Sequence, residues 1–189
     1  NPQIIQLNDG AGKKFKKRFI SHSEPMLKKI NKVNRALIIG AGSIGQRHIR
    51  NLKRKGISNI IALRSRKGHF IKLPKELEVL EVDSWKEAID LKPDIAIISN
   101  PSSLHIESAK RISDYVRGVF IEKPLSNSAD SCQKLIDILN EKKVVSFVGH
   151  NIMFHPIVEN IIKFNDNNDI GSVVNIQCQA GQWLPDWHP

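Results

Sequence analysis

The sequence predicts an α/β protein: a doubly wound parallel sheet followed by the start of an α+β second domain. Three observations carry this. Short, wholly apolar runs recur along the chain, stretches at helical spacing separate them, and the pattern changes near residue 150. Apolar runs of this length suit strands buried on both faces, as in parallel sheets. Their alternation with helices implies right-handed crossovers that cover the sheet on both sides.

Ala36-Leu37-Ile38-Ile39 is the first such run. Ile44, His48, Ile49 and Leu52 then recur at helical spacing up to Gly56, a residue suited to closing a helix. Asn59–Leu63 reads as the second strand, Glu78–Val82 as the third, and Ser84–Leu91 as a short helix. Asp94–Ser99 is a fourth strand, followed by a helix over about Ser103–Tyr115. Val119–Ile121 and Val144–Gly149 are further strands, with a helix over Ser128–Lys142 between them. Beyond Gly149, Pro156–Phe164 reads as a helix, and Val173–Ala180 alternates like a strand with one solvated or ligand-facing side. The expected division is a basic extension over 1–33, a nucleotide-binding domain over 34–150, and an incomplete substrate or oligomerisation domain over 151–189.

An apolar fraction of 40% allows a sizeable core in 189 residues. No stretch is long and apolar enough for a membrane span, and the first residues lack the apolar segment of a signal peptide. A soluble cytoplasmic protein is expected. The net charge of +10 raises the question of nucleic acid, but nine basic and two acidic residues lie within the first 35, so most of the excess belongs to the N-terminal arm. No nucleic-acid motif accompanies that arm, and a solvated extension is the expectation. A short helix near Met26–Lys32 is possible there. Cys132, expected on a helix, and Cys178, expected on a strand, form no metal-binding pattern and read as reduced space-fillers.

The chemistry begins at Gly40-Ala41-Gly42-Ser43-Ile44-Gly45, directly after a strand and opening a helix. This is the setting of a Rossmann-type dinucleotide site. Gly40 permits the tight turn, Gly42 lets the backbone approach a pyrophosphate, and Gly45 allows close packing of helix on strand. Ser43 and Ile44 stand at the helix start, where free N–H groups and the helix dipole favour phosphate. At the end of the second strand an acid normally holds the ribose 2′-hydroxyl. The chain has Leu63-Arg64-Ser65-Arg66-Lys67 instead. Arg64 or Arg66, with Ser65, could grip a 2′-phosphate, which favours NADP over NAD. The alternative is that these are solvated loop charges and either cofactor is accepted.

Two further segments follow strand ends, Ser99-Asn100-Pro101-Ser102-Ser103-Leu104-His105 and Glu122-Lys123-Pro124. With the glycine turn and Gly149-His150-Asn151-Ile152-Met153-Phe154-His155-Pro156, they resemble the Gfo/Idh/MocA oxidoreductases, relatives of glucose–fructose oxidoreductase and inositol dehydrogenase. The resemblance implies hydride transfer between a nicotinamide and a hydroxyl- or carbonyl-bearing carbon of a sugar or cyclitol, and a homo-oligomer for the full-length protein. It makes Lys123 the active-site lysine, touching both cofactor and substrate, with Glu122 and Pro124 setting the backbone around it. Asn100, Pro101 and His105 would line the nicotinamide side, and Asn151 would meet substrate. Lys123 could instead be one surface lysine among many, and His105 a helix-start residue without a ligand. Met153 stands where family members often carry an arginine, and the family's Asp and His of the second domain have no match, since Asp186 and His188 are two apart. A binding module without catalysis, or a truncated relic, is the alternative reading. No metal site is expected.

Overall fold

The computed structural model describes residues 33–65, 73–169, 171–177 and 179. The basic arm, the short helix near Met26–Lys32, Arg66, Cys178, Asp186 and His188 lie outside the described residues. The described chain falls into two units that meet in sequence at His150 and Asn151.

The first unit is a six-stranded sheet in the order β3-β2-β1-β4-β5-β6, with every pairing parallel. Its strands are β1 (Arg35–Ile39), β2 (Asn59–Leu63), β3 (Leu80–Val82), β4 (Ile95–Ile98), β5 (Gly118–Ile121) and β6 (Val145–Val148). The connecting helices are α1 (Ser43–Arg54), α2 (Trp85–Asp90), α3 (His105–Ile112) and α4 (Asp130–Glu141). The chain runs outward from β1 to β3, then returns to the other side of β1 as β4. This doubly wound Rossmann plan is the one the apolar runs predict.

Two cores flank the sheet because successive strand side chains point to opposite faces. Leu37, Ile39, Ile61, Ile98 and Ile121 pack on one side with Ile112 and Leu135 of the helices. Ile38, Ile60, Ala62 and Ile97 pack on the other with Ile49 of α1. Cys132 lies on α4, as expected, and is half-buried against the first core. Among the described residues no helix is long and apolar enough to cross a membrane, and no group of His, Cys, Asp or Glu could hold a metal.

Element ends depart from the sequence reading where a local constraint intervenes. The third strand begins at Leu80 rather than Glu78, because Glu78 adopts φ +41°, outside the β region. The sixth begins at Val145, since the Val144 N–H is taken by the Leu139 carbonyl at the end of α4. Ser102–Leu104 is a 3-10 turn, so α3 starts two residues later than expected.

The edge of the sheet opposite the glycine turn is tied by Asp94. Its carboxylate accepts from the N–H groups of Asn34 (2.7 Å) and Arg35 (2.9 Å) and from the Arg117 guanidinium (2.7 Å). It thereby joins the starts of β1, β4 and β5.

The second unit contains a 3-10 turn over Asn151–Phe154 and helix α5 (Pro156–Asp166). Pro156 fits the first helical position, where no N–H is needed, and His155 caps it through Nδ1, accepting from the Ile157 N–H at 3.2 Å. Ile157, Ile161 and Phe164 form an exposed apolar row on α5. The expected strand at Val173–Ala180 is corrected by the structure: residues 173–177 carry no strand pairing, and Val174 is 96% exposed. An alternating sequence forms a strand only where its N–H and C=O groups meet a ladder, and none among the described residues offers one.

Partial burial alone would raise the Asp94 pKa, but the bonds from Arg35, Asn34 and Arg117 outweigh it and hold the group below its ordinary value of 3.8. A lowered folded pKa gives stability that is complete above the unfolded value and is lost as pH falls through the folded one. Asp94→Asn should therefore cost about 1.5–3 kcal/mol at neutral pH, the worth of hydrogen bonds to a charged group. Urea unfolding followed across pH should show the deficit shrinking as pH drops below 3.8.

Candidate dinucleotide and active site

The candidate residues of the first unit lie at the carboxyl edge of the sheet. The glycine turn leaves β1, Asn100 and Pro101 follow β4, and Glu122 and Lys123 follow β5. These strands are adjacent in the order β1-β4-β5, so three segments far apart in sequence become neighbours. Ligands in open α/β sheets bind at this edge, where the winding reverses.

The three motif glycines are required for different reasons. Gly40 has φ +88°, and a Cβ there would lie 2.6 Å from the Asn100 backbone. A Cβ on Gly45 would collide with the Gly40 carbonyl oxygen. Gly42 has an ordinary φ of −69°, and a Cβ there would meet nothing within 4 Å. The protein itself therefore needs glycine at positions 40 and 45, whereas at 42 its absent side chain leaves open space.

That space faces the start of α1, where Gly42 is the N-cap without a side-chain hydrogen bond and no acid occupies the first turn. Ser43 and Ile44 are exposed there. Arg47, Arg50 and Arg54 line the outer face of the same helix beside Ser43 and Ile44 and add positive potential. Uncapped N–H groups, a positive dipole end and an empty cradle fit the pyrophosphate of a dinucleotide. The turn is braced from both sides: the Ser99 hydroxyl, just after β4, donates to the Gly40 carbonyl at 2.6 Å, and the Gly40 N–H donates to the Leu63 carbonyl of β2 at 3.0 Å.

At the end of β2, Arg64 and Ser65 lie beside β3. The Arg64 guanidinium pairs with Glu81 at 2.7 Å, and its backbone N–H donates to Val82 at 3.0 Å. A carboxylate of β3 thus already faces the Arg64 guanidinium.

On the β4 side, the Asn100 amide donates to Ser108 at 2.9 Å, while its buried amide oxygen has no donor among the described residues. His105 is only 2% exposed. Its Nδ1 lies 2.9 Å from the Pro124 carbonyl and its Nε2 2.8 Å from the Asn100 carbonyl. Both neighbours are acceptors, and a neutral ring with a single N–H can donate to only one of them. His105 ties the loop after β4 to the loop after β5. The Lys123–Pro124 peptide bond in that second loop is cis.

Lys123 is exposed, while Glu122 before it is half-buried. Glu122 meets His48 of α1, with Oε1 2.7 Å from Nε2, and its Oε2 accepts from the Lys123 N–H at 3.2 Å. The sequence reading placed His48 on the inward stripe of α1 and gave it no role. A polar ring among inward apolar positions was the available signal, since such a group needs a partner when buried. Asn151, with Met153 two residues on, opens the 3-10 turn of the second unit and is exposed.

Residues 34–150 match the oxidoreductase family with an NAD-binding Rossmann fold known as Gfo/Idh/MocA, and the chain belongs to that family. Among its relatives is an uncharacterised oxidoreductase of Bacillus subtilis, 29% identical over 141 residues, which span 71% of this chain and 40% of the relative. Another is the scyllo-inositol 2-dehydrogenase (NAD+) of the same organism, 25% identical over 144 residues, covering 74% of this chain and 42% of that protein. Of solved structures, the myo-inositol 2-dehydrogenase of Lactobacillus plantarum superposes with a TM-score of 0.66 at 26% identity, over 76% of this chain and 44% of that one. The chain spans less than half the length of these relatives.

The glycine geometry separates two alanine variants. Gly45→Ala should lose about 1–3 kcal/mol of stability, the usual cost of overpacking a filled site. Gly42→Ala should fold with a loss of at most about 1 kcal/mol, alanine being a poorer N-cap than glycine, yet bind NADH about tenfold or more weakly, because its methyl enters the phosphate cradle. Thermal unfolding and fluorescence titration read the two effects separately.

Proposed function

We propose that this chain forms the cofactor half of a nicotinamide-dependent oxidoreductase acting on a hydroxyl or carbonyl group of a sugar or cyclitol. The observation that carries the reading is Lys123: an exposed lysine at the end of β5, on a loop anchored to α1 through Glu122 and to α3 through the Pro124 carbonyl. An exposed lysine on an anchored loop at the ligand-binding edge of a dinucleotide fold supports a role on substrate oxygen. The names of the inositol-oxidising relatives support the substrate class.

Gly40, Gly42, Ser43, Ile44 and Gly45 would hold the pyrophosphate. Asn100 and Pro101 would form the nicotinamide side, with His105 acting from behind by a hydrogen bond to the Asn100 or the Pro124 carbonyl. A bound nicotinamide supplies the acceptor of a hydride, or its donor in the reverse direction. Lys123 would donate a hydrogen bond to the reacting oxygen and stabilise negative charge developing there. Asn151 would contact substrate, and residues 151–189 would begin the substrate-binding and oligomer-forming domain of a cytoplasmic homo-oligomer. The preferred cofactor is NADP(H), supported by the absence of a carboxylate in 63–67 and by Arg64, Ser65 and Arg66 in the sequence after β2. A second reading, a dinucleotide-binding module without turnover, draws on Met153, which lacks the charge of the arginine often found there.

Two measurements test this. Titration with NADPH and NADH should give a preference for NADPH of about tenfold or more, the worth of one charged hydrogen bond to phosphate. Equal affinities would remove the cofactor preference and leave the dehydrogenase reading standing. In the full-length protein, Lys123→Met should lower kcat about 10²–10³-fold, as loss of an oxyanion-stabilising donor does. Unchanged kcat would sink the role of Lys123, and absence of turnover in the parent would favour the binding module.

A further inference from the structure

His48 and Glu122 connect two parts of the site that the proposed reaction treats separately. His48 lies on α1, one turn beyond the N-terminus that faces the phosphate cradle. Glu122 immediately precedes Lys123. The 2.7 Å contact between Nε2 and Oε1 is partly buried, with the two side chains 16% and 19% exposed. A hydrogen bond to a carboxylate in such a setting is short and strong. The other carboxylate oxygen accepts the Lys123 N–H, so one carboxyl group bridges the helix and the lysine's own backbone.

The imidazole is also held from the side. The Phe120 ring meets it edge-to-face, with centroids 5.1 Å apart and planes at 63°. Phe120 in turn stacks on Phe147 of β6, with centroids 5.7 Å apart. A Cβ on Gly149 would lie 2.9 Å from Phe120 Cζ, so this layer has no slack for a larger residue. His48 is therefore fixed in direction between α1 and the end of β5.

We propose that His48 is a positioning residue for Lys123, acting through Glu122, so that occupancy of the phosphate cradle by a dinucleotide is transmitted to the lysine. The proposal rests on the reading of Lys123 as the group that acts on substrate oxygen. It assigns His48 a role distinct from binding, because the ring faces Glu122 and not the cradle. It also gives Glu122 a purpose beyond setting backbone direction.

The test uses the full chain labelled with 15N-lysine, the Lys123 amide signal being assigned by its loss in Lys123→Arg. In the parent, saturating NADH should shift that signal. In His48→Leu, which keeps bulk and removes the donor, the shift should be largely lost while the NADH Kd stays within about threefold, since the cradle is untouched. His48→Gln, which can still donate to Glu122, should restore most of the response and serves if the leucine variant folds poorly. Glu122→Gln combined with His48→Leu should be no worse than the more damaging single change, as expected of residues acting through one contact. In the full-length protein the same variants should lower kcat about tenfold with little change in KM, the signature of a lost transition-state interaction.

A Lys123 amide that responds to NADH equally in His48→Leu and in the parent would overturn the proposal. So would a His48→Leu variant whose NADH Kd rises as much as its kcat falls, because His48 would then act on binding. A normal amide response together with full turnover in Lys123→Met would instead sink the catalytic reading of Lys123 and leave the link between His48 and its loop standing.

Discussion

The position of β1 at the centre of the sheet is the constraint on which the rest of this structure depends. Leu37 and Ile38 are fully buried, so water cannot satisfy their backbone N–H and C=O groups. Those groups are paired only because β2 lies on one side and β4 on the other. The chain must therefore wind outward from β1, cross back, and wind outward again. The reversal leaves the turn after β1 beside the turn after β4, and that is where the glycines, Ser99 and Asn100 meet. A ligand site at the carboxyl edge follows from hydrogen-bond satisfaction in the middle of the sheet.

Rigidity at that edge comes from two histidines that play different parts. His105, buried at the first residue of α3, lies between the carbonyl oxygens of the loops after β4 and β5. His48 reaches from α1 to the carboxylate that precedes Lys123. The lysine is thus the exposed member of a segment whose neighbours on both sides are anchored to separate helices. An exposed lysine ordinarily loses much side-chain entropy when fixed against a ligand. Here its backbone is already ordered, which reduces what remains to be ordered on binding.

The fold was legible in the sequence because buried parallel strands write themselves as unbroken apolar runs. Every one of the six strands was anticipated, with ends that moved by one or two residues, in two cases because a backbone requirement overrode side-chain pattern. Glu78, in the left-handed region, and Val144, engaged by α4, are such cases. The strand expected at Val173–Ala180 shows the opposite limit. Alternation states which face of a segment would be buried, but it does not supply the neighbour to bury it. The glycine turn and the Glu-Lys-Pro segment could be found because their residues are contiguous. The Arg64–Glu81 and His48–Glu122 pairs could not, since each joins residues that only strand order and helix placement bring together.

The glycine turn also distinguishes what folding preserves from what ligand binding preserves. Gly40 and Gly45 are held by the chain's own atoms, because any side chain there meets backbone. Gly42 answers to no neighbour within 4 Å, so a methyl there would collide with none of the chain's own atoms. A change at 42 would therefore be felt first by a bound dinucleotide, and a change at 40 or 45 first by the turn itself.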